Sequence, residues 1–400
     1  MGRGDKKAMR LLIEKMKENP IYTVLMNAII FICLYLILTA TFWVSMVLIA
    51  LVFFALLYLE KRELLETIFE IYSKYKKEAW MSLIVLLIVF PFTIFKNSYF
   101  LHISFIACVY SIIALGLNLQ MGSTNMVNFA PAAFFGTGAY TTAILATRYG
   151  VNPWISSIAG IILAIIIGYF FGLPTLKTKG YYLSLITVAI QIIFSLLIVN
   201  TDWLGGPNGI PGIPPYTIGN HSFGSPLLIF GNKIPYGIHY YFLGVIVLIF
   251  CAIFGSRLYN SRIGLAWNII GSDETSAICQ GIDVPNSKLI AFCIGASFAG
   301  AAGVLYAHYI SFIGYEDFDI AKSLIIICMV ILGGMDNVVG VITGAVFLIL
   351  IDEKLREFSG YRMLLYAGIL IVILIVRPEG MIQRRIRKYL PYFKKKKQLV

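Results

Sequence analysis

The chain alternates long apolar runs with short polar breaks. Runs of about 18 or more apolar residues can cross a bilayer. They predict spans near 21–40, 42–59, 81–95, 99–121, 127–148, 152–173, 181–199, 239–255 and 287–309, with shorter ones near 321–333, 338–351 and 363–376. Lipid offers backbone groups no hydrogen-bond partner, so the expected fold class is all-α, a polytopic integral membrane helical bundle. The stretch 321–351 is interrupted by Gly333-Gly334, Gly340 and Gly344. It reads as two short spans meeting at a turn over Met335-Asp336-Asn337; a single tilted helix with a re-entrant piece is the alternative.

One polar break, 256–286, carries its own helical pattern. Arg262 to Ile270 and Ser272 to Gln280 read as two short helices. Gly271 separates them, Ser272 is the candidate N-cap, and Asp273 and Glu274 occupy the first turn. Gly281 is a natural stop. The following span has small residues at Gly295, Ser297, Ala299, Gly300, Ala301, Ala302 and Gly303, which let helix backbones approach closely and predict a position inside the bundle. Residues 60–80 carry both charge signs and an apolar face; an amphipathic surface helix and a solvated linker both fit.

The composition excludes a soluble domain: 59% of residues are hydrophobic and 13% charged, with mean hydropathy +0.84. The net charge of +12 would suit nucleic acid, but its distribution argues against that partner. With the N-terminus inside, 25 of the 32 lysines and arginines fall on the cytoplasmic side, as topology rules require. They orient the chain and meet membrane lipid headgroups. The start lacks the small-residue pattern of a cleaved signal peptide. The six cysteines are scattered without a CxxC pair, which disfavours metal and disulfide roles.

The densest polar cluster within the apolar runs lies in 114–148 and includes Asn118, Gln120, Asn125, Asn128 and Thr137. Polar amides in lipid should face the bundle interior or a water-filled path. Interhelical hydrogen bonding alone is the competing reading for any one of them. The loop 200–238 is dense in Pro and Gly and should be ordered by turns. Glu316, Asp317 and Asp319 form an acidic rim on the same outer side.

The run Gly264 … Asp273-Glu274 … Ala277 … Gly281-Ile282 … Lys288-Leu289-Ile290-Ala291-Phe292 … Ala299-Gly300 … Tyr306-Ala307-His308 resembles the permease subunit of branched-chain amino acid ABC importers, the LivM type. Gly116-Leu117-Asn118, Gly136-Thr137-Gly138-Ala139-Tyr140, Lys177-Thr178-Lys179-Gly180, Gly205-Gly206-Pro207-Asn208-Gly209 and Arg377-Pro378-Glu379-Gly380 extend the resemblance over roughly 105–385. It implies a type II importer permease fold of about ten core spans. The domains expected are then a cytoplasmic start, hairpin and linker (1–80), a transmembrane permease domain (81–385) and a basic cytoplasmic tail (386–400). The resemblance also implies the partners: two cytoplasmic ATP-binding subunits, a second homologous permease and an extracytoplasmic substrate-binding protein. The loop with Gly264, Asp273, Glu274, Ala277 and Gly281 would be the ATPase-coupling loop. Two departures stand out. Gln191 occupies the place where the family usually carries a glutamate, and the loop has Leu265, Asn268, Gly271 and Ile278 where arginines are common. Related permeases carry urea and short amides.

No Walker A pattern, HExxH or GxSxG occurs. His102, His221, His239 and His308 are expected to lie far apart. No enzyme site can be assembled and no cofactor is expected. The scarcity of acids and bases in the apolar runs argues against proton- or sodium-coupled transport. A self-sufficient channel or carrier is the alternative from another class, and it predicts flux with this chain alone.

Overall fold

The computed structural model describes residues 19–61, 68, 70–72, 74–94, 97–175, 181–219, 221–229, 232–358, 360–376 and 380–382. The basic start, much of the 60–80 stretch, the Lys177–Gly180 turn, Arg377-Pro378-Glu379 and the lysine tail lie outside the described residues.

A helix forms at every predicted span. The N-terminal hairpin is α1 (Ile21–Thr39) and α2 (Phe42–Lys61), followed by α3 (Lys76–Ile94). Then come α4 (Ser98–Asn118), α5 (Pro131–Arg148), α6 (Pro153–Thr175), α7 (Tyr181–Val199) and α8 (Gly237–Tyr259). The polar loop holds α9 (Arg262–Ser272) and α10 (Glu274–Cys279). The chain closes with α11 (Val284–Ile310), α12 (Ile320–Gly333), α13 (Val338–Lys354) and α14 (Arg362–Val376). Seven helices among the described residues are long and apolar enough to cross a membrane.

The expected start of the fifth span at 127 is corrected to Pro131. α4 ends instead in a π turn, Leu119–Ser123, and irregular backbone follows before Pro131, whose missing N–H suits a first helical position. The stretch 321–351 is two helices. The turn between them has Gly334 at φ +104° and Asp336 at φ +66°, and Asn337 caps α13 by accepting from Val339 N and Gly340 N. With 14 and 17 residues, α12 and α13 rise about 21 and 26 Å, less than the roughly 30 Å of a hydrocarbon core.

α11 sits in the middle of the bundle against α4, α5 and α6. The small residues explain how. A Cβ on Gly300 would lie 2.5 Å from the Ala164 Cβ, and one on Gly160 would lie 2.9 Å from the Gly138 carbonyl oxygen. Three helix backbones therefore meet at Gly138, Gly160 and Gly300, closer than any side chain permits. The hairpin joins this core through Phe53 stacked on Phe347 and the Lys354 ammonium donating to the carbonyls of Leu38 and Ala40.

Two ends of the bundle differ in construction. At one, α9 and α10 lie beside the π turn and the 334–337 turn. At the other, the 200–238 loop folds back as short ladders: β1 (Ile210–Pro211), β2 (Thr217–Ile218), β3 (His221–Ser222), β4 (Leu227–Ile229) and β5 (Asn232–Ile234). β1 pairs antiparallel with β6 (Phe312–Ile313), the segment just after α11. β2 pairs with β3, and β4 with β5. Gly205, Gly206 and Gly209 have positive φ in the turn before β1, so the GGPNG run serves this return of the chain.

Candidate functional site

The irregular backbone between α4 and α5 leaves amide groups inside the bundle that need partners. Side chains from two other helices and from Asn128 within the segment supply them. Phe129 N donates to Thr187 Oγ1 (3.0 Å), Ala130 N to Asn128 Oδ1 (2.8 Å), Ala132 N to Ser323 Oγ (3.1 Å) and Ala133 N to Gln191 Oε1 (2.8 Å). The buried start of α5 is thus capped by α7 and α12. Gln191 is fully buried, and its oxygen also accepts from Ser323 Oγ (2.9 Å). Its Nε2 donates to the Phe318 carbonyl (2.7 Å). An ionised glutamate could not donate that bond, which gives the departure at this position a physical reason.

The π turn is held in the same way. Asn118 Nδ2 donates to Tyr259 OH (2.5 Å), and Asn118 Oδ1 accepts from Asp336 N (2.8 Å). Ser123 Oγ donates to Asp336 Oδ1 (3.0 Å). Gln120 Nε2 donates to the Phe292 carbonyl (3.2 Å), and its Oε1 accepts from Asn128 Nδ2 (2.7 Å). Asn118, Gln120 and Gln191 thus each bridge separate parts of the bundle, and Asn128 ties the π turn to the start of α5. Thr137 bonds within its own helix, to the Ala133 carbonyl (2.8 Å). Asn125 stands apart: it is exposed and left-handed, at φ +54°. The buried Tyr140 hydroxyl has no hydrogen-bond partner among the described residues.

The α9–α10 loop rests directly on this joint. A Cβ at Gly271 would lie 2.5 Å from the Ser123 carbonyl oxygen. Gly271 therefore lies within α9 at a packing contact, which corrects its expected role as a helix breaker. Ser272 is also helical, bonding back to the Asn268 carbonyl (2.9 Å). The N-cap of α10 is Asp273, which accepts from Thr275 N (2.9 Å) and Ser276 Oγ (2.7 Å). These two bonds hold its carboxyl below the usual carboxylate range. Gly264 and Ala277 are buried. Gly281, at φ +75°, ends α10 as expected.

Two ties fix the loop to α11. Trp267, fully buried, donates Nε1–H to the Ser287 carbonyl (2.8 Å). Lys288 Nζ meets Glu274 Oε1 at 2.6 Å, with the lysine side chain 8% exposed and the glutamate 34%. A buried ammonium needs such a partner, because an unpaired one is heavily penalised. Ile263, Leu265 and Ile278 remain exposed on the loop, which leaves it an apolar outer surface.

Residues 99–376 match the model of the family described as branched-chain amino acid transport system / permease component. The chain belongs to this family. It is similar to the high-affinity branched-chain amino acid transport system permease protein LivM of Salmonella typhimurium, 32% identical over 318 residues, which are 76% of this chain and 74% of that one. The probable branched-chain amino acid transport permease protein LivM of Methanocaldococcus jannaschii is 23% identical over 69% of this chain and 91% of its own. The autoinducer 2 import system permease protein LsrC of Escherichia coli is 25% identical over 68% and 77%. No solved structure matches. The chain is a multi-pass membrane transport component and not itself an enzyme.

Several residues that organise this permease have partners that the sequence does not show. Lys288 stands in the run that resembles the family, but nothing in that resemblance pairs it with Glu274. A lone lysine in the first turns of an apolar helix, 14 residues after a glutamate, is the signal that would have found the pair. Ser323 and Tyr259 carry no sequence signal, and Thr187, though part of the family pattern that begins at Lys177, gives no hint of its partner; all three partners lie more than 50 residues away. The four histidines do not all lie apart: His221 and His239 touch, with ring centroids 5.2 Å apart. Two members of the acidic rim are structural. Asp317 accepts from Tyr306 OH and Gly314 N, and Asp319 caps α12.

Proposed function

We propose that this permease translocates branched-chain amino acids as the membrane-spanning half of an ATP-driven importer, and that α9–α10 is the surface its ATP-binding subunit pushes on. The observation that carries this reading is the bracing of the loop: Glu274 on Lys288, Trp267 on Ser287, and Gly271 against the π turn. Force on the exposed Ile263, Leu265 and Ile278 passes through those contacts into α11 and into the joint that starts α5. Gly264, Asp273, Glu274, Ala277 and Gly281 give the loop its shape.

In this scheme the loop end is cytoplasmic, as are both termini, and the protein sits in the inner (cytoplasmic) membrane. Two ATP-binding subunits hydrolyse the ATP, a second homologous permease completes the path, and a binding protein docks at the ladder end. Residues 81–385 are the permease domain, preceded by the 1–80 addition and followed by the 386–400 tail. The path runs beside the joint of Asn118, Gln120, Asn128, Thr137 and Gln191, with Asn125 and the unpartnered Tyr140 hydroxyl as its nearest free polar groups. Loop movement would exchange one set of joint hydrogen bonds for another, giving two access states.

The test is ATP-dependent uptake of labelled leucine, with urea as a separate substrate, in proteoliposomes holding the permease and its partners. Lys288→Met should lose leucine uptake, and the exchange Glu274→Lys with Lys288→Glu should recover part of it. Flux without ATP-binding subunits would sink the importer reading in favour of a channel. Urea uptake alone would keep the architecture and overturn the substrate.

A further inference from the structure

The ladder end holds a pair of histidines that the transport reading does not use. His221 lies in β3, opposite Ile218 of β2. His239 lies in the first turn of α8. Both rings are half-buried, and their Nε2 atoms are 3.3 Å apart. His239 Nδ1 lies 3.1 Å from the Tyr236 carbonyl oxygen. A carbonyl can only accept, so Nδ1 carries the proton and the lone pair of His239 sits on Nε2, facing His221. Phe223 stacks on the His239 ring, with centroids 5.1 Å apart and planes 26° apart, and holds its direction.

This is how a metal-ligating histidine is prepared: one ring nitrogen donates to a backbone carbonyl and the other is presented as a ligand. The spacing agrees. Two nitrogens at about 2.05 Å from one tetrahedral zinc ion stand about 3.3 Å apart. We infer that His221 and His239 form a two-histidine site for a divalent transition metal of the zinc class. Among the described residues no group of three or more His, Cys, Asp or Glu gathers, so water fills the other coordination positions. A bound ion would join the β2–β3 hairpin to the top of α8 and pin the loop that covers this end. The alternative is a simple hydrogen bond between the rings, which needs no metal.

The test uses the full-length permease without an affinity tag, purified in detergent and freed of metal. Zinc is titrated against a chromophoric zinc indicator, and thermal unfolding is followed with and without zinc. The expected result is one zinc per chain and a rise in Tm with zinc. His221→Gln and His239→Gln, which keep size and polarity, should each lose both effects. His102→Gln, at the same end but paired with Tyr309, should keep them. Copper(II) should bind more tightly than zinc at the same two residues. Native protein that takes up no zinc, or glutamine variants that bind zinc as the native chain does, would overturn the site. Neither readout involves transport, so the outcome stands apart from the importer assignment.

Discussion

The two ends of this permease are held together by different chemistry. At the ladder end the contacts are mainly backbone ladders and packed rings, with one buried histidine among them. β1 pairs with β6, Tyr216 packs on Trp154 with centroids 4.6 Å apart, and His308 is fixed by Pro214 O (2.6 Å) and Thr142 Oγ1 (2.9 Å). At the α9 end the contacts are single polar side chains that reach between elements: Asn118 to Tyr259, Ser123 to Asp336, Glu274 to Lys288. Stacked rings and ladders lose much area together when they part. A polar bond between elements has a net worth near 1 kcal/mol and can be exchanged for another. The ladder end is held by contacts that are lost together, and the α9 end by polar bonds that can be lost one at a time.

The core between the ends should be the least tolerant of all. Gly300→Val places a branched side chain where three backbones meet, and overpacking costs about 1–3 kcal/mol, more where backbone has to move. The variant is expected to lose its monodisperse peak in size-exclusion chromatography. Gly255→Ala in α8 has open space around the new methyl and should match or slightly exceed the native Tm. Equal tolerance at both positions would break the account of why α11 is rich in small residues.

Next in size is the joint. Gln191→Leu strands the Ala133 amide and the Phe318 carbonyl, at about 1–3 kcal/mol for each buried group left unpaired. The decisive comparison is Gln191→Glu. Ionised, it would face the Phe318 carbonyl as an unpaired buried charge, so at pH 8 it should be at least as destabilised as Gln191→Leu in thermal denaturation. Protonated, its hydroxyl can donate to Phe318, so part of the loss should be recovered at lower pH. At the ladder end, Tyr240→Phe removes two bonds: the tyrosine hydroxyl donates to the His308 carbonyl (2.8 Å) and accepts a long bond from Tyr216 N (3.4 Å). Its ring packing survives, so about 1–2 kcal/mol is expected. A larger loss there than at Gln191 would reverse the contrast between the ends.

How much of this was legible follows from the range of the interactions. The helix positions came from apolar run length, a local property, and even the paired short helices α12 and α13 showed through their glycines. The loop helices were legible, but their boundary was not. Gly271 reads as a breaker in isolation, yet it is required by the Ser123 carbonyl, nearly 150 residues earlier in the chain. The polar cluster was visible as a set of amides that lipid would penalise, while the side chains that satisfy them are distant in sequence. Gln191 shows the limit best: its need to donate and accept at once depends on Phe318 and Ala133, which no spacing connects.

The smallest expected effect concerns Asp273, the cap between the loop helices, and it sharpens the view of the α9 end. Its carboxyl is held below the usual range by the Ser276 hydroxyl and the Thr275 amide. A depressed folded-state value means that the cap's contribution is complete above the unfolded carboxylate value, about 3.9. It is lost only as the pH falls through the lower folded value. Between pH 8 and pH 5 the cap should therefore be indifferent to pH. Hydrogen exchange of the 274–279 amides, corrected for intrinsic rates, should show equal protection at both values, and Asp273→Ala should lower that protection equally at both. A loss of native protection near pH 6 would instead place a different titrating group in control of the loop, and α10 would no longer be held by its own cap.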